Sequence, residues 1–164
     1  MIQRCRKADL CSAREMVESV KMAGRVKKKI LNHDLALLCG RVLLVVLFLA
    51  GGLLKIKYLA GTAAYLQETR VPGAGEPIAM AAGLFECTCA LLILVGYRTR
   101  LVAAALFVYL VPATWYTHLA LSQMAVDAVV RDNELFQSLK NVAIMGGLVM
   151  LFSSGPGLHS IDRK

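Results

Sequence analysis

Four apolar segments, each close to twenty residues long, dominate this 164-residue chain from residue 35 onward. They run over residues 35–54, 77–95, 101–121 and 135–152. About twenty residues of α-helix cross the ~30 Å hydrocarbon layer of a membrane. Backbone groups in lipid must be hydrogen-bonded internally, and these runs are too long and continuous for barrel strands, so helices are expected. The sequence therefore predicts an all-α fold, a bundle of four transmembrane helices over residues 35–154.

The composition agrees with a membrane protein and excludes an ordinary water-soluble enzyme. Hydrophobic residues make up 57% of the chain and the mean hydropathy is +0.59, well above the values of soluble domains. The chain is also basic, with 19 Lys and Arg against 11 Asp and Glu and a formal net charge of +8. Since a membrane-spanning apolar segment accommodates few charged residues, the positions of the Lys and Arg residues along the chain are informative about its organisation.

About half of the positive charge lies in the first 34 residues, which contain no long apolar run. That pattern lacks the apolar stretch of a secretory signal, and its four acidic residues argue against a mitochondrial presequence. We expect residues 1–34 to form a basic cytoplasmic arm. Its run from Arg25 to Lys29 is expected to lie against anionic lipid headgroups rather than nucleic acid.

Positively charged residues in the connections predict the orientation, because they stay on the cytoplasmic side. The arm, the turn with Arg98 and Arg100, and the tail over residues 155–164 fall on one side and carry most of the Lys and Arg. Both termini are therefore expected in the cytoplasm. The predicted location is a bacterial inner membrane, crossed four times, with the lipid bilayer as the first partner.

Glu86 is the most informative ionisable residue, since a charge at the centre of a bilayer costs at least ~2.5–3.5 kcal/mol on insertion scales. Counted from Pro77 at ~1.5 Å per residue, it lies ~13–14 Å deep. Small residues share its helix face and permit a close approach of a second helix. They are Ala79, Ala82, Gly83 and Ala90. Glu86 is therefore predicted to face the interior of the bundle.

Other polar residues lie inside the spans or near their ends. Arg41 and Lys55 share one face of the first helix with Val45, Phe48 and Gly52. Pro112 removes a backbone donor and is expected to kink the third helix. Depth along the helices predicts a polar cluster in the outer half of the bundle. Its expected members are His118, Lys140 and Asn141, with Glu86 beneath them and Lys55 above.

These residues have structural and functional interpretations, and the sequence leaves both open. Glu86 paired with Lys140 or Arg41 is either a structural ion pair that fixes helix register or part of a ligand, proton or quinone site. Arg41 and Lys55 alternatively extend toward the two headgroup regions, and His118 is alternatively an interfacial side chain. The five cysteines include no CxxC dithiol and no paired Cys/His spacing, so no metal site is predicted.

Short motifs in a fixed order carry a family resemblance over about residues 35–162. They are Gly40-Arg41, Gly51-Gly52-Leu53-Leu54-Lys55, residues 60–66 (AGTAAYL), Val71-Pro72, Gly83-Leu84-Phe85-Glu86, residues 96–100 (GYRTR), Leu139-Lys140-Asn141, Gly146-Gly147, residues 154–157 (SGPG) and Ser160-Ile161-Asp162. In this order the chain resembles the DoxX family of small four-helix membrane proteins. The basic arm is not part of the family pattern.

The resemblance implies a fold more strongly than an activity. Some family members are described as the membrane subunit of a thiosulfate:quinone oxidoreductase, and others as membrane partners of sulfur-transfer and superoxide-detoxifying proteins. Carried over residue by residue, the shared polar positions are Arg41, Lys55, Glu86, Lys140 and Asn141.

Three hypotheses follow. The first is a redox-associated membrane subunit that binds a quinone or a sulfur species, with Glu86 and Lys140 as the reacting pair and Arg41, Lys55, His118 and Asn141 as ligand-binding residues. With no intrinsic cofactor, it requires a soluble or membrane redox partner protein. The second is a non-catalytic anchor that recruits detoxifying proteins, and the third is a small transporter or proton pathway. Substrate, partner, catalysis and homo-oligomer formation remain open.

Overall fold

The computed structural model describes the backbone of residues 2–158 and 160–162. It describes the side chains of residues 34–158 and 160–162, and of residues 18, 21, 22 and 25 before them. The chain divides into two compact units, Met1–Ala36 and Leu37–Lys164. Most side chains of the basic arm, including Lys27 to Lys29, and the tail residues Arg163 and Lys164 lie outside the described residues.

The described residues are helical, with no strand among them. In chain order the elements are α1 (Ile2–Lys57), α2 (Leu59–Glu68), α3 (Glu76–Val95), α4 (Thr99–Ala113), a π-helix (Thr114–Leu119), α5 (Ala120–Met124) and α6 (Ala128–Ser154). The first unit consists of the N-terminal part of α1, so the backbone of the basic arm is helical.

Four stretches are long and apolar enough to cross a membrane, and they confirm the four predicted spans. They are Asp34–Lys57, Glu76–Val95, Thr99–Met124 and Ala128–Ser154. The third combines α4, the π-helix and α5. Helix α2 was not predicted, because its ten residues lie in what the sequence presents as a loop between two spans.

The third span changes its helical geometry just after Pro112. Pro112 lacks a backbone N–H and lies in the last turn of α4, and π-helical geometry begins two residues later, at Thr114. A π-helix holds more residues per turn than an α-helix, so it shifts the register of the side chains that follow. The expected effect of Pro112 is thus accompanied by a local widening of the helix.

The spans of the second unit enclose a small apolar core. Its largest fully buried hydrophobic side chains are Ile93, Leu106 and Leu148, which come from α3, α4 and α6. Val45 and Phe48 of α1 join the same cluster. In contrast, many large apolar side chains are exposed, among them Leu43, Val108 and Leu139. That distribution is expected where lipid, rather than water, surrounds the helices.

Helices α1 and α3 are in close backbone contact at two glycines. A Cβ atom on Gly52 would lie 2.7 Å from the backbone oxygen of Gly83, and a Cβ on Gly83 would lie 2.9 Å from the backbone oxygen of Gly52. Any larger residue at either position forces the backbones apart. This contact uses small residues in the way that membrane helices commonly pack.

The C-terminal segment returns to the turn between α3 and α4. The backbone N–H groups of Ile161 and Asp162 donate to the carbonyls of Val95 and Gly96, both at 3.2 Å. The Asp162 carboxylate accepts a hydrogen bond from the backbone N–H of Arg98. The tail therefore satisfies backbone groups that α3 and α4 leave open at their ends.

Candidate functional site

Glu86 lies at the middle of α3 and is 5% exposed, as its small-residue face predicts. Lys55 Nζ of α1 is 2.8 Å from Glu86 Oε1 and 2.7 Å from Oε2. The Tyr109 hydroxyl of α4 donates to Oε1 at 2.9 Å. Three spans therefore meet at one buried carboxylate, and we call these three residues the Lys55–Glu86–Tyr109 site.

The glycine crossing explains why Lys55 is the partner of Glu86. Lys55 follows Gly52 by three residues, and Glu86 follows Gly83 by three residues. Both residues therefore lie on the faces that meet, about one turn from the crossing but on opposite sides of it, because the two helices run antiparallel. The long Lys55 side chain reaches back across the crossing to Glu86. Gly51 also leaves room for the carboxylate, since a Cβ there would lie 3.4 Å from Glu86 Oε2. The partner expected from the sequence was Lys140 or Arg41, and the structure places neither beside Glu86.

Tyr109 is a site residue that sequence reasoning did not identify. Its ring packs against Phe85 with the ring centroids 5.1 Å apart, which holds the hydroxyl toward Glu86. The signal was present, because Tyr109 lies inside an apolar span rather than at its edge, where aromatic residues usually anchor. A buried phenol in lipid requires a hydrogen-bond partner.

The site combines an anion with two donors of different kinds. The Lys55 side chain is 33% exposed, whereas that of Glu86 is 6% exposed. The carboxylate is therefore enclosed, whereas the Lys55 side chain is partly accessible. Such an arrangement can bind an oxygen-rich group through Lys55, and it can exchange a proton at Glu86.

Arg41 lies elsewhere, at the end of α3. It is 1% exposed, and its guanidinium donates to the carbonyl oxygens of Ile93 at 3.0 Å, Leu94 at 2.8 Å and Pro156 at 2.6 Å. Carbonyls at a helix C-terminus lack intrahelical partners. Arg41 therefore joins the end of α3 to the C-terminal segment instead of extending to a headgroup layer.

Asn141 and Lys140 are neighbours in α6 that point to different surroundings. Asn141 is buried, and its amide donates to the Thr114 hydroxyl at 3.0 Å. Thr114 in turn donates to the Leu110 carbonyl at 2.7 Å. Lys140 is exposed and makes no hydrogen bond or ion pair within the described residues. The structure therefore does not bring Lys140 to Glu86.

His118 belongs to a second polar group. It lies in the third span, Thr99–Met124, toward the end remote from the α3–α4 turn. His118 Nδ1 lies 2.6 Å from Glu134 Oε2 of α6. The Tyr65 hydroxyl of α2 lies 3.3 Å from both atoms. Burial, and then the nearby Glu134 carboxylate, raise the pKa of Tyr65 above its usual value. Glu134 comes just before the predicted fourth span, 135–152, and this contact was not predicted.

The single outer cluster expected from the sequence is thus three separate contacts. Glu86 binds Lys55 and Tyr109, Asn141 binds Thr114, and His118 binds Glu134 and Tyr65. The prediction used only the depth of each residue along its helix. Which side chains meet also depends on how each helix is rotated about its own axis. No group of three or more potential metal ligands occurs among the residues whose side chains the structure describes.

The four spans and the buried polar site define a small multi-pass inner membrane protein. The sequence profile of the DoxX family matches residues 36–119, and the chain belongs to this family. The profile of the SURF4 family matches residues 79–164, which shows a further similarity of the C-terminal half. No solved structure matches the chain significantly.

Two relatives from Escherichia coli K12 are similar over most of the chain. The inner membrane protein YqjF is 34% identical over 131 residues, which are 80% of this chain and 92% of YqjF. The inner membrane protein YphA is 32% identical over 130 residues, which are 78% of this chain and 89% of YphA.

Proposed function

We propose that this DoxX protein is the membrane subunit of a quinone-linked redox system and that the Lys55–Glu86–Tyr109 site binds the quinone headgroup. The observation that carries the proposal is the enclosed carboxylate of Glu86, held at the middle of α3 by the ammonium of the partly exposed Lys55 and by the phenol of Tyr109. An ionisable residue kept at such a depth is a candidate functional residue by its cost alone.

The chemistry of quinone reduction matches these three groups. A quinone takes up two electrons and two protons to become a quinol. The electrons come from a partner oxidoreductase that oxidises a reduced sulfur compound, for example two thiosulfates joined to one tetrathionate. Lys55 donates a hydrogen bond to an oxygen on which negative charge develops, Tyr109 holds the Glu86 carboxylate through its hydroxyl, and Glu86 passes one of the protons. The second proton comes from water at the exposed side of Lys55.

Thiosulfate-dependent reduction of a short-chain ubiquinone in isolated membranes tests this proposal. Glu86→Gln and Lys55→Met are expected to lower the rate by about 10²-fold, the usual contribution of a positioned acid or base. Lys140→Met is the matched control, because it removes a cation of the same bundle that lies apart from the site. Equal rates in wild-type membranes and in membranes lacking the protein would refute the proposal, as would folded variants with wild-type rates.

A proton pathway is the second candidate, and a specific arrangement favours it. Tyr109, Thr114 and His118 lie along one span at spacings of five and four residues, and each contacts a polar partner on another helix. The π-helix begins at Thr114, so it affects only the interval from Thr114 to His118. Proton flux into proteoliposomes that falls in Glu86→Gln and His118→Gln, without any added electron donor, distinguishes this function from quinone reduction.

The anchor hypothesis depends on the basic arm. Its side chains lie mostly outside the described residues, so no contact in the structure favours it. Deleting residues 1–30 and comparing the proteins that co-purify in mild detergent tests it separately.

A further inference from the structure

An apolar groove lies between α4 and α6, away from the Lys55–Glu86–Tyr109 site. Its volume is about 180 Å³, and only apolar side chains line it. Those that define its walls are Ala104, Phe107 and Val108 of α4 and Leu148, Val149 and Phe152 of α6. Val108, Val149 and Phe152 are also exposed on the surface of the helices, so the groove is open to lipid.

The groove lies toward the end of the bundle that carries the α3–α4 turn. Ala104 comes five residues after the first residue of α4, and Phe152 comes two residues before the last residue of α6. At 1.5 Å per residue, both are within about 8 Å of the helix ends. The groove therefore begins close to the headgroup layer that the charge distribution assigns to the cytoplasm.

Arg100 lies one turn before Ala104 on α4, toward the end of the groove nearest the α3–α4 turn. Arg100, Ala104 and Val108 are spaced by four residues and so share one face of α4. The guanidinium packs over Gly155, where a Cβ atom would lie 3.2 Å from Nε. Its Nη2 donates a long hydrogen bond, 3.5 Å, to the Ser153 carbonyl at the end of α6. The remaining N–H groups of Arg100 have no partner among the described residues.

We propose that this groove and Arg100 together bind an anionic phospholipid. The phosphate accepts hydrogen bonds from the Arg100 guanidinium, and one acyl chain lies in the groove between α4 and α6. Charge complementarity selects the headgroup, because basic residues beside helices attract anionic lipids. The lining selects a hydrocarbon chain, since it offers no donor for a quinone carbonyl. This proposal does not rest on the function proposed for Glu86.

Lipid binding to the purified, delipidated protein tests the proposal. Native mass spectrometry from mild detergent measures the bound fraction of a phosphatidylglycerol and of a phosphatidylcholine with the same acyl chains. The wild type is expected to prefer the anionic lipid roughly fivefold, the effect of about one cation near a membrane surface. Arg100→Gln is expected to bring the ratio close to one, and Ala104→Leu, which fills the groove, to lower the retention of both lipids.

Arg98→Gln is the matched control for charge. Arg98 lies in the same turn but its guanidinium stacks over the Tyr97 ring, 5.9 Å from the centroid, so the variant is expected to keep the preference. Arg100→Lys keeps the charge and is expected to keep most of the preference for the anionic lipid. A difference between Arg100→Lys and Arg100→Gln then shows the effect of the charge even if the Gln variant folds poorly. The proposal is wrong if the wild type shows no preference, if Arg100→Gln keeps it, or if Arg98→Gln loses it equally. Displacement of the phospholipid by a long-chain ubiquinone would also overturn it.

Discussion

Lys55 of the first span forms a two-oxygen ion pair with Glu86 of the second, with Nζ 2.8 and 2.7 Å from the two carboxylate oxygens. Because α1 and α3 run antiparallel, Lys55 and Glu86 lie about one turn from the Gly52–Gly83 contact on opposite sides of it, and the Lys55 side chain reaches back to the carboxylate. The glycine contact between α1 and α3 and the Lys55–Glu86 ion pair are thus structurally linked. Changes at either place are expected to affect the other.

Removing one partner of the pair is expected to destabilise the protein more than removing both. Lys55→Met leaves the buried Glu86 carboxylate without its cation, and breaking a fully buried pair costs about 3–5 kcal/mol. The cost here is expected to be smaller, because the Lys55 side chain is one-third exposed. Thermal unfolding in detergent checks this. The double variant Lys55→Met, Glu86→Gln is expected to recover part of the loss, and a double variant less stable than Lys55→Met alone would contradict the account.

Gly83→Ala is expected to push α1 and α3 apart. The added Cβ would lie 2.9 Å from the Gly52 backbone oxygen and 2.8 Å from Ile56 Cγ1, and overpacking of this kind costs about 1–3 kcal/mol. Gly146→Ala is the control, because a Cβ there meets nothing within 4 Å. That control is expected to be neutral or stabilised by up to about 1 kcal/mol. Equal melting temperatures for the two variants would show that the crossing is not tight.

Arg41 is expected to act on stability rather than on ligand binding. Arg41→Met leaves the buried carbonyl of Ile93 without the guanidinium that binds it, at about 1–3 kcal/mol for a buried group left unsatisfied, and it also removes the part-buried bonds to Leu94 and Pro156. Arg41→Lys is expected to recover only part of this, since one ammonium replaces a planar fork of donors. Thermal unfolding measures the loss, and quinone affinity of the folded fraction is expected to stay at the wild-type value. A loss of affinity with unchanged stability would reverse this assignment.

Tyr65 is expected to remain neutral well above the ordinary tyrosine pKa of about 10. Burial and the Glu134 carboxylate both disfavour the phenolate, so its pKa is raised. The protonated phenol is the form that the fold stabilises, and this stabilisation is lost only as the pH rises toward the raised value. Phenolate absorbance measures this ionisation. Up to about one unit above pH 10, the absorbance increase of the Tyr65→Phe variant should equal that of the wild type. A smaller absorbance change in the variant would show that Tyr65 ionises early.

The sequence was sufficient to predict the four spans and the inward face of Glu86. Uninterrupted apolar length identifies the spans, and the small residues on the face of Glu86 predicted its burial, which the structure confirms. Arg41, Val45, Phe48 and Gly52 were likewise predicted to share one face, and all four are buried.

The partners of the polar residues were not predictable, because depth along a helix does not determine its rotation against its neighbours. Three cations were at plausible depths for Glu86, and the glycine crossing selected Lys55. The π-helix introduced a register shift that no periodicity of 3.6 residues anticipates, and it places Thr114 and His118 against α6. Tyr109 was missed because it lies within an apolar span, and Glu134 because it comes just before the predicted fourth span, 135–152.

Binding of a short-chain ubiquinone to the purified protein, measured by equilibrium dialysis in detergent, tests the central claim most directly. The wild type and Lys140→Met are expected to bind equally. Glu86→Gln and Tyr109→Phe each remove a hydrogen-bonding group of the site, and each is expected to weaken binding by about tenfold, the effect of 1.4 kcal/mol. Absence of saturable binding to the wild type, or equal affinity in all four proteins, would contradict the assignment of Lys55, Glu86 and Tyr109 as a quinone site.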